Sequence, residues 1–343
     1  MVSIVIPVFN KIKYVEQMIN SIRDQSYQDF ELLLIDDGST DGVIELMNHY
    51  QSFDSRIHLI PRNREPKGAQ TCRNIGLKFA NNKYIVFFDS DDLISKNCLR
   101  DRVNFMESNP LIDFGVFPAR TFRGEGTLCP ITKTDLKWGI KTKNNILLQF
   151  LSANYPFLIV TNIYRKCVLE KHDLYWDEYL VKYQDFDFNI NAIFKRLEFK
   201  FSEDKSSSFD YFYRVADNEN STCRQPTTKS SFESTIYLFE KVIQNLDHYH
   251  KRNEYHNSFF NYIKLYVKYL IKESKFEFIP ILLLWCGKHY SKYKIQKLNF
   301  IFHIAKKDIG RPYHKFFFVF LLCLLFPKTE LISRISQLIK FRS

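Results

Sequence analysis

The run Asp89-Ser90-Asp91-Asp92 sets three carboxylates within four residues, directly after the apolar segment Tyr84–Phe88. Carboxylates this close repel one another unless a cation sits among them. A hard divalent cation suits such a place, and Mg²⁺ typically takes one or two carboxylates together with substrate phosphates. One reading is therefore a metal–diphosphate site. The other is a solvated acidic turn that caps the following helix, since Asp ahead of an apolar stretch is common there. Spacing alone leaves both open. Two further acidic groups invite the same question: Asp36-Asp37-Gly38-Ser39-Thr40-Asp41 after Phe30–Ile35, and Gln184, Asp185 and Asp187 at the start of a helical pattern over residues 183–195.

These groups need elements to position them, and the first 120 residues supply a repeating strand–helix pattern. Val2–Pro7 reads as a buried strand, and Ile12, Val15, Ile19 and Ile22 recur at helical spacing behind it. Phe30–Ile35 is a second strand, Arg56–Pro61 a third and Tyr84–Phe88 a fourth, with a helix expected over residues 68–80. Strands alternating with helices imply a mostly parallel sheet covered on both faces. Ligands of such sheets sit beyond the carboxyl ends of the strands. Asn10, Asp36-Asp37 and Asp89–Asp92 all fall at those ends, which points to one shared site.

Beyond residue 120 the pattern weakens until about residue 232, apart from the helix over 183–195 and an aromatic strand over Phe209–Arg214. The remainder is helical, rich in Tyr and Lys, with two late apolar runs, Ile279–Cys286 and Phe316–Phe326. Both runs are too short to span a bilayer, which takes about 20 apolar residues. Each is core or membrane-interfacial.

The 343 residues hold 49 Lys+Arg against 38 Asp+Glu, net +11, with 45% hydrophobic and 16% aromatic residues, which excludes wholesale disorder. The first 204 residues are close to neutral, so the excess positive charge lies in the last two-fifths of the chain. A basic segment of that size suggests an anionic partner, either nucleic acid or an acidic membrane surface. The seven cysteines form no CxxC pair, which argues against a zinc site or a secreted disulfide framework and fits a reducing cytosol. The chain runs straight into Val2-Ser3-Ile4 without a basic leader, so no signal peptide is expected.

Four motifs occur in order: Val5-Ile6-Pro7-Val8-Phe9-Asn10, Ile35-Asp36-Asp37-Gly38-Ser39-Thr40-Asp41, Gly68 with Cys72-Arg73-Asn74-Ile75-Gly76-Leu77, and Phe87-Phe88-Asp89-Ser90-Asp91-Asp92. Together they resemble the family 2 glycosyltransferases, inverting enzymes of the GT-A fold, well over residues 1–120 and more loosely over 180–222. The resemblance implies an α/β fold with a GT-A catalytic domain over residues 1–225, its nucleotide-sugar half 1–120 and acceptor half 121–225. A basic, aromatic helical region follows over 226–343. It implies that Pro7, Val8 and Phe9 pack on the base, that Asp37 accepts from a base N–H, and that Arg73 approaches the nucleotide or sugar. Asp41 reads instead as a helix cap, and Asn74 and Gly76 as helix–sheet packing residues. Asp89 is expected near the ribose or donor sugar and Asp91 on a Mn²⁺ or Mg²⁺ ion, with Asp92 as a second candidate ligand. Lys67 is expected in the loop that flanks the donor. Arg214, ahead of Asn220-Ser221-Thr222, suits the diphosphate.

The family's acidic pair at a helix start matches Gln184-Asp185, where Gln184 replaces the usual Glu. Asp185 is then the expected general base for the acceptor hydroxyl. Asp187 is its rival, although two residues' separation on a helix turns the side chains apart. Processive members carry a Gln-X-X-Arg-Trp motif, yet no Arg precedes Trp138, Trp176 or Trp285. A non-processive enzyme is therefore expected, transferring one sugar from a nucleotide-diphosphate sugar such as a UDP-sugar. The resemblance to enzymes of bacterial surface polysaccharide assembly implies a saccharide acceptor, including a polyprenyl-diphosphate-linked one, and a cytoplasmic enzyme peripheral on the inner face of the membrane. Two other classes compete with this reading. A nucleic-acid-binding protein has the charge but no motif, and a non-catalytic nucleotide-sugar-binding protein is prompted by Gln184 alone.

Overall fold

The computed structural model describes residues 1–124, 136–202, 209–215, 227–296 and 298–299. In chain order the elements are β1 (Val2–Val8), α1 (Ile12–Arg23), β2 (Phe30–Asp36), α2 (Val43–Phe53), β3 (Ile57–Pro61), α3 (Ala69–Phe79), β4 (Tyr84–Phe87), β5 (Leu93–Ile94) and α4 (Cys98–Ser108). Then come β6 (Phe114–Val116), β7 (Ala119–Phe122), β8 (Lys137–Trp138), α5 (Ile146–Leu151), β9 (Asn162–Arg165), α6 (Lys166–Lys171), α7 (Gln184–Phe194), β10 (Phe199–Phe201) and β11 (Tyr211–Arg214). The helices α8 (Lys229–His248), α9 (Arg252–Lys272) and α10 (Ile279–His289) complete the set.

Seven strands form the main sheet in the order β10-β6-β9-β4-β1-β2-β3. Its pairs are parallel except where β9 runs against both β4 and β6. The mostly parallel sheet expected from the strand–helix alternation is thus present. β1 is buried along nearly its whole length, as a strand covered on both faces must be. A second, four-stranded sheet in the order β5-β11-β7-β8 pairs the strand after the acidic run with the late aromatic strand.

The chain divides into two compact units, one of Met1–Gln225 with Glu233–Ser258 and the other of Pro226–Phe232 with Phe259–Ser343. The first unit therefore takes in most of α8 besides the span expected for the catalytic domain. In the second unit Phe232 stacks on Phe278, ring centroids 4.6 Å apart, and Phe260 lies 4.7 Å from Tyr290. There α10 buries Ile279, Leu282, Trp285 and Cys286 and leaves Ile281 and Leu284 exposed. No helix among the described residues is long and apolar enough to cross a membrane. Phe316–Phe326 and Asn220-Ser221-Thr222 lie outside the described residues.

Helix α3 sits so close on β1 that it needs a glycine. A Cβ added at Gly76 would stand 2.2 Å from Val5 Cγ1. Gly76 is therefore the packing residue expected from the sequence, and Gly76→Ala should cost about 1–3 kcal/mol as an overpacking change. Chemical denaturation measures it, and a wild-type midpoint would mean that α3 can lift off the sheet freely.

Candidate active site

The parallel order β4-β1-β2-β3 brings the loops after those strands to one edge, and side chains lash them together. Asn10, just past β1, accepts from Thr40 N through Oδ1 at 2.8 Å, while its own N–H donates to Ser39 Oγ at 3.0 Å. Asp36 turns the loop after β2 by accepting from Gly38 N at 2.9 Å and Ser39 N at 3.2 Å. Asp41, expected as a helix cap, stands one residue ahead of the N-cap Gly42 of α2 and accepts from the first N–H of two helices, Ile12 N at 2.9 Å and Val43 N at 3.2 Å.

Asp37 is buried, and its Oδ1 accepts from Arg62 Nε at 2.6 Å and from Gly68 N at 3.1 Å. It thereby joins the loop after β2 to the N-terminus of α3. The Cys72 thiol lies within its influence and is pushed up to about 12, burial acting first and the Asp37 charge second. Of the three residues expected on the base, Val8 is fully buried and its carbonyl accepts from Asp37 N at 2.8 Å. Its side chain is core because a fully covered strand buries both faces, whereas Pro7 is partly open. The Phe9 ring is 41% exposed, with Lys67 Nζ 3.6 Å from its centroid. That geometry is a cation–π contact at the edge of the site.

Arg73 is the centre of the arrangement. Only 4% exposed, it projects from α3 and donates through Nη2 to Asp89 Oδ1 at 2.8 Å and through Nη1 to Asp185 Oδ1 at 3.2 Å. Trp176 lies 5.7 Å from its Cζ and is itself stacked on Phe188 at 3.9 Å. Two acidic motifs far apart in sequence thus meet on one guanidinium. The Asp89 carboxyl is pushed up to about 6, by burial first, against the pull of Arg73 and with Asp185 and Asp91 adding to the rise. An acid raised in this way favours folding while protonated. Its contribution is lost as pH climbs from the ordinary range through about 6, so at neutral pH the fold holds this charge against its preference. Such a mismatch is common where a charge serves chemistry.

The three carboxylates after β4 have separate partners. Asp91 Oδ2 takes Lys11 Nζ at 2.6 Å, and the pair is about one-quarter exposed on each side (28% and 25%). Asp92 is 1% exposed and spends both oxygens on the fold: Oδ2 accepts from Tyr211 OH at 2.6 Å and Oδ1 from Arg214 N at 2.7 Å. It is a brace between the small sheet and the acidic loop rather than a second metal ligand. Arg214 is likewise buried, with Nε on Asp91 O at 2.5 Å, Nη2 on Gln17 Oε1 at 2.7 Å and Nη1 on Gly124 O. Its guanidinium supports the loop from behind, a correction to the phosphate contact expected of it.

Whether this site suits a divalent ion is a question about its donor set. Among the described residues no three His, Cys, Asp or Glu side chains converge as a ready-made cage. Asp91 is nonetheless a hard oxygen donor, partly open, and the ammonium of Lys11 stands on it as a cation would. One carboxylate with the balance of the shell left to a diphosphate is the donor set that Mg²⁺-type ions use with nucleotides, so the residues fit.

At the start of α7 the two rivals part. Asp185 is 37% exposed and faces Arg73, whereas Asp187 is buried and its Oδ2 accepts from Lys241 Nζ at 2.8 Å. Asp187 is thus removed from the site by its position on the inner face of the helix. Gln184 donates through Nε2 to Gln70 Oε1 at 2.8 Å and to Leu180 O at 2.9 Å. An ionised carboxylate at this position could not donate to Leu180 O, and would accept from Gln70 only with that amide turned round. Asn74 departs from its expected packing role: it bonds Trp176 O at 2.9 Å and Glu178 Oε1 at 2.7 Å, fastening α3 to the segment before α7. The sequence carries no signal for Arg62, Tyr211 or Lys241, and for Lys11 only its place three residues past the end of β1.

A family model described as Glycosyl transferase family 2 matches residues 3–177. A glycosyltransferase of Haemophilus influenzae is 31% identical over 70% of this chain and 86% of its own. The poly(ribitol-phosphate) beta-N-acetylglucosaminyltransferase TarS of Staphylococcus aureus is 25% identical over 71% of this chain, which spans only 41% of that protein. The crystal structure of S. aureus TarS 1-349 in complex with UDP-GlcNAc superposes with a TM-score of 0.63 at 21% identity, covering 89% of this chain and 87% of that one. The shared architecture is the GT-A fold.

Proposed function

The chain belongs to glycosyl transferase family 2, and from that premise we propose that it is an inverting, non-processive transferase moving one sugar from a UDP-sugar to a saccharide acceptor in bacterial surface-polymer synthesis. The observation that carries the reading is Arg73 holding Asp89 of the acidic loop and Asp185 of α7 in one site. The first belongs to the leaving-group side and the second to the acceptor side of a displacement. In the proposed step the acceptor oxygen forms a bond to the anomeric carbon while the bond to the diphosphate breaks, and the hydroxyl proton passes to Asp185. TarS, by its name a beta-N-acetylglucosaminyltransferase and solved with UDP-GlcNAc, supports both the donor class and a β product.

Asp91 would hold Mn²⁺ or Mg²⁺, and the ion, when bound, would neutralise the departing diphosphate. Phe9, with Lys67 over it, would cover the base, and Asp37 would keep the loop in reach of it. A panel of nucleotide sugars with Mn²⁺ or Mg²⁺ tests the reading. Hydrolysis or transfer of one donor, lost in Asp91→Ala, is expected; no turnover with any donor and a broad acceptor set would overturn it.

Lys11 competes for the same carboxylate. In Lys11→Met, Mn²⁺ bound without nucleotide should be tighter by up to roughly fivefold, because a partly exposed ion pair is worth about 0.2–1 kcal/mol. Electron paramagnetic resonance of free Mn²⁺ reads this directly, and unchanged affinity would show that the ammonium does not contest the site.

We also propose that residues 226–343 hold the enzyme at an anionic membrane near a lipid-linked acceptor. The excess charge of that region and the exposed Ile281 and Leu284 support this. Flotation of the full chain with anionic and with zwitterionic vesicles separates the cases; equal recovery on both would remove the charge-based reading.

A further inference from the structure

The segment Asp177–Asp187, which carries Asp185, is gripped from two sides. On one side stands α3, with Asn74 on Trp176 O and Glu178, Gln70 on Gln184, and Arg73 on Asp185. On the other stands α8. Ser234 Oγ accepts from Val181 N at 2.9 Å, and Tyr237 OH donates to Asp177 Oδ2 at 2.9 Å. Lys241 Nζ donates to Asp177 Oδ2 and to Asp187 Oδ2, each at 2.8 Å. One turn further, Asn245 Nδ2 donates to Asn191 Oδ1 at 3.0 Å. Residues 234, 237, 241 and 245 share one helix face, and that face is polar where an ordinary packed helix would be apolar.

We propose that Lys241 is a positioning residue for Asp185, and that the polar face of α8 sets where the acid of α7 stands against the donor. The inference rests on the reading of Asp185 as the base. One ammonium ties Asp177, ahead of the loop, to Asp187, inside α7, and so closes the segment at both ends. Apolar packing is non-directional, whereas one cation shared by two carboxylates fixes the distance of each from the same point on α8. Asp187 is fully buried, and burial pushes its carboxyl above the ordinary carboxylate range while Lys241 pulls it back down. The segment also bends at Tyr183, whose φ of 63° is a left-handed conformation that a bulky residue adopts only when its surroundings impose it. Asp185 itself is partly exposed and paired with Arg73. Its aim therefore follows the placement of the helix start, and a displacement of about 1 Å there can cost roughly 10²-fold in rate.

The test compares full-length Lys241→Met, Lys241→Arg and Tyr237→Phe with Asp185→Asn as the control. Donor binding is measured by calorimetry, and kcat at saturating donor and acceptor. The expected result for Lys241→Met is a kcat lower by roughly 10²-fold with donor affinity unchanged. Lys241→Arg, whose fork can bridge both carboxylates, should recover most of the loss. Tyr237→Phe, which removes only a hydroxyl on a half-exposed ring, should lower kcat several-fold and leave donor affinity alone. It decides the matter if Lys241→Met does not fold. Wild-type kcat in folded Lys241→Met or in Tyr237→Phe overturns the inference. So does a parallel loss of kcat, donor affinity and thermal midpoint that Lys241→Arg fails to rescue, since that is general destabilisation. If Asp185→Asn itself turns over normally, the reading of the base has failed instead, and the two failures are distinguishable.

Discussion

Asp185→Asn should abolish sugar transfer in practice, lowering kcat by roughly 10²–10⁴-fold, the range that a positioned general base contributes. The substitution is a clean probe because Asn keeps the Oδ1 that accepts from Arg73 Nη1 at 3.2 Å. Volume and the contact to α3 are conserved, so the fold and the donor pocket should survive. What disappears is the ability to take a proton. Donor affinity should therefore stay within a few-fold of wild type while turnover collapses, a pattern that single-turnover kinetics and calorimetry together expose. A variant that keeps more than a tenth of wild-type kcat would mean that the proton goes elsewhere. Asp187 would be a poor substitute, being buried against Lys241.

Removing Arg73 should do damage of a different kind. In Arg73→Met the carboxylates of Asp89 and Asp185 lose the cation between them, and both the binding of the donor and the rate should fall. Breaking a buried ion pair by deleting one partner costs about 3–5 kcal/mol. The low end applies because Asp89 and Asp185 are each partly open to water, at 27% and 37%. Activity should drop by roughly 10²-fold or more, as a misplaced catalytic group does. Arg73→Lys should rescue little, since Nη1 and Nη2 reach Asp185 and Asp89 from separate ends of a planar fork, whereas a lysine at this position offers both acids a single nitrogen on a shorter stem. Thermal midpoint, UDP affinity and kcat/KM measured on the same preparations give the answer. Wild-type kcat/KM in Arg73→Met would show that the bridge is dispensable and that the two acids work independently.

The two substitutions divide the site into what reacts and what holds it. Asp185 touches the acceptor in the proposed step, while Arg73 sets the distance between the acceptor side and the leaving-group side. Lys241 would extend the same logic outward, from the acid to the helix that carries it.

Much of this was legible in the chain alone. The alternation of strands and helices over the first 120 residues is written in local apolar periodicity, and β1 to β4 and α3 begin and end within a residue or so of their sequence-based bounds. That Asn10, Asp37 and Asp89 come to one edge of the sheet also followed from sequence, because the ends of neighbouring parallel strands lie side by side.

Roles that depend on a partner elsewhere were not. Asp91 and Asp92 are neighbours with the same chemistry, yet one lies partly open beside Lys11 and the other is consumed by Tyr211 and the backbone of Arg214. Asp185 and Asp187 differ in the same way, one toward Arg73 and the other toward Lys241. Val8 and Phe9 divide between core and site within a single step of the chain. The amino-acid sequence by itself determined the family, the parallel sheet and the edge where the chemistry must lie, because periodicity and strand-end motifs are local properties. Only the tertiary structure decided which carboxylate stays partly open to water and which is spent on the fold. Burial and the nearest cation set that choice, and both come from residues far away along the chain.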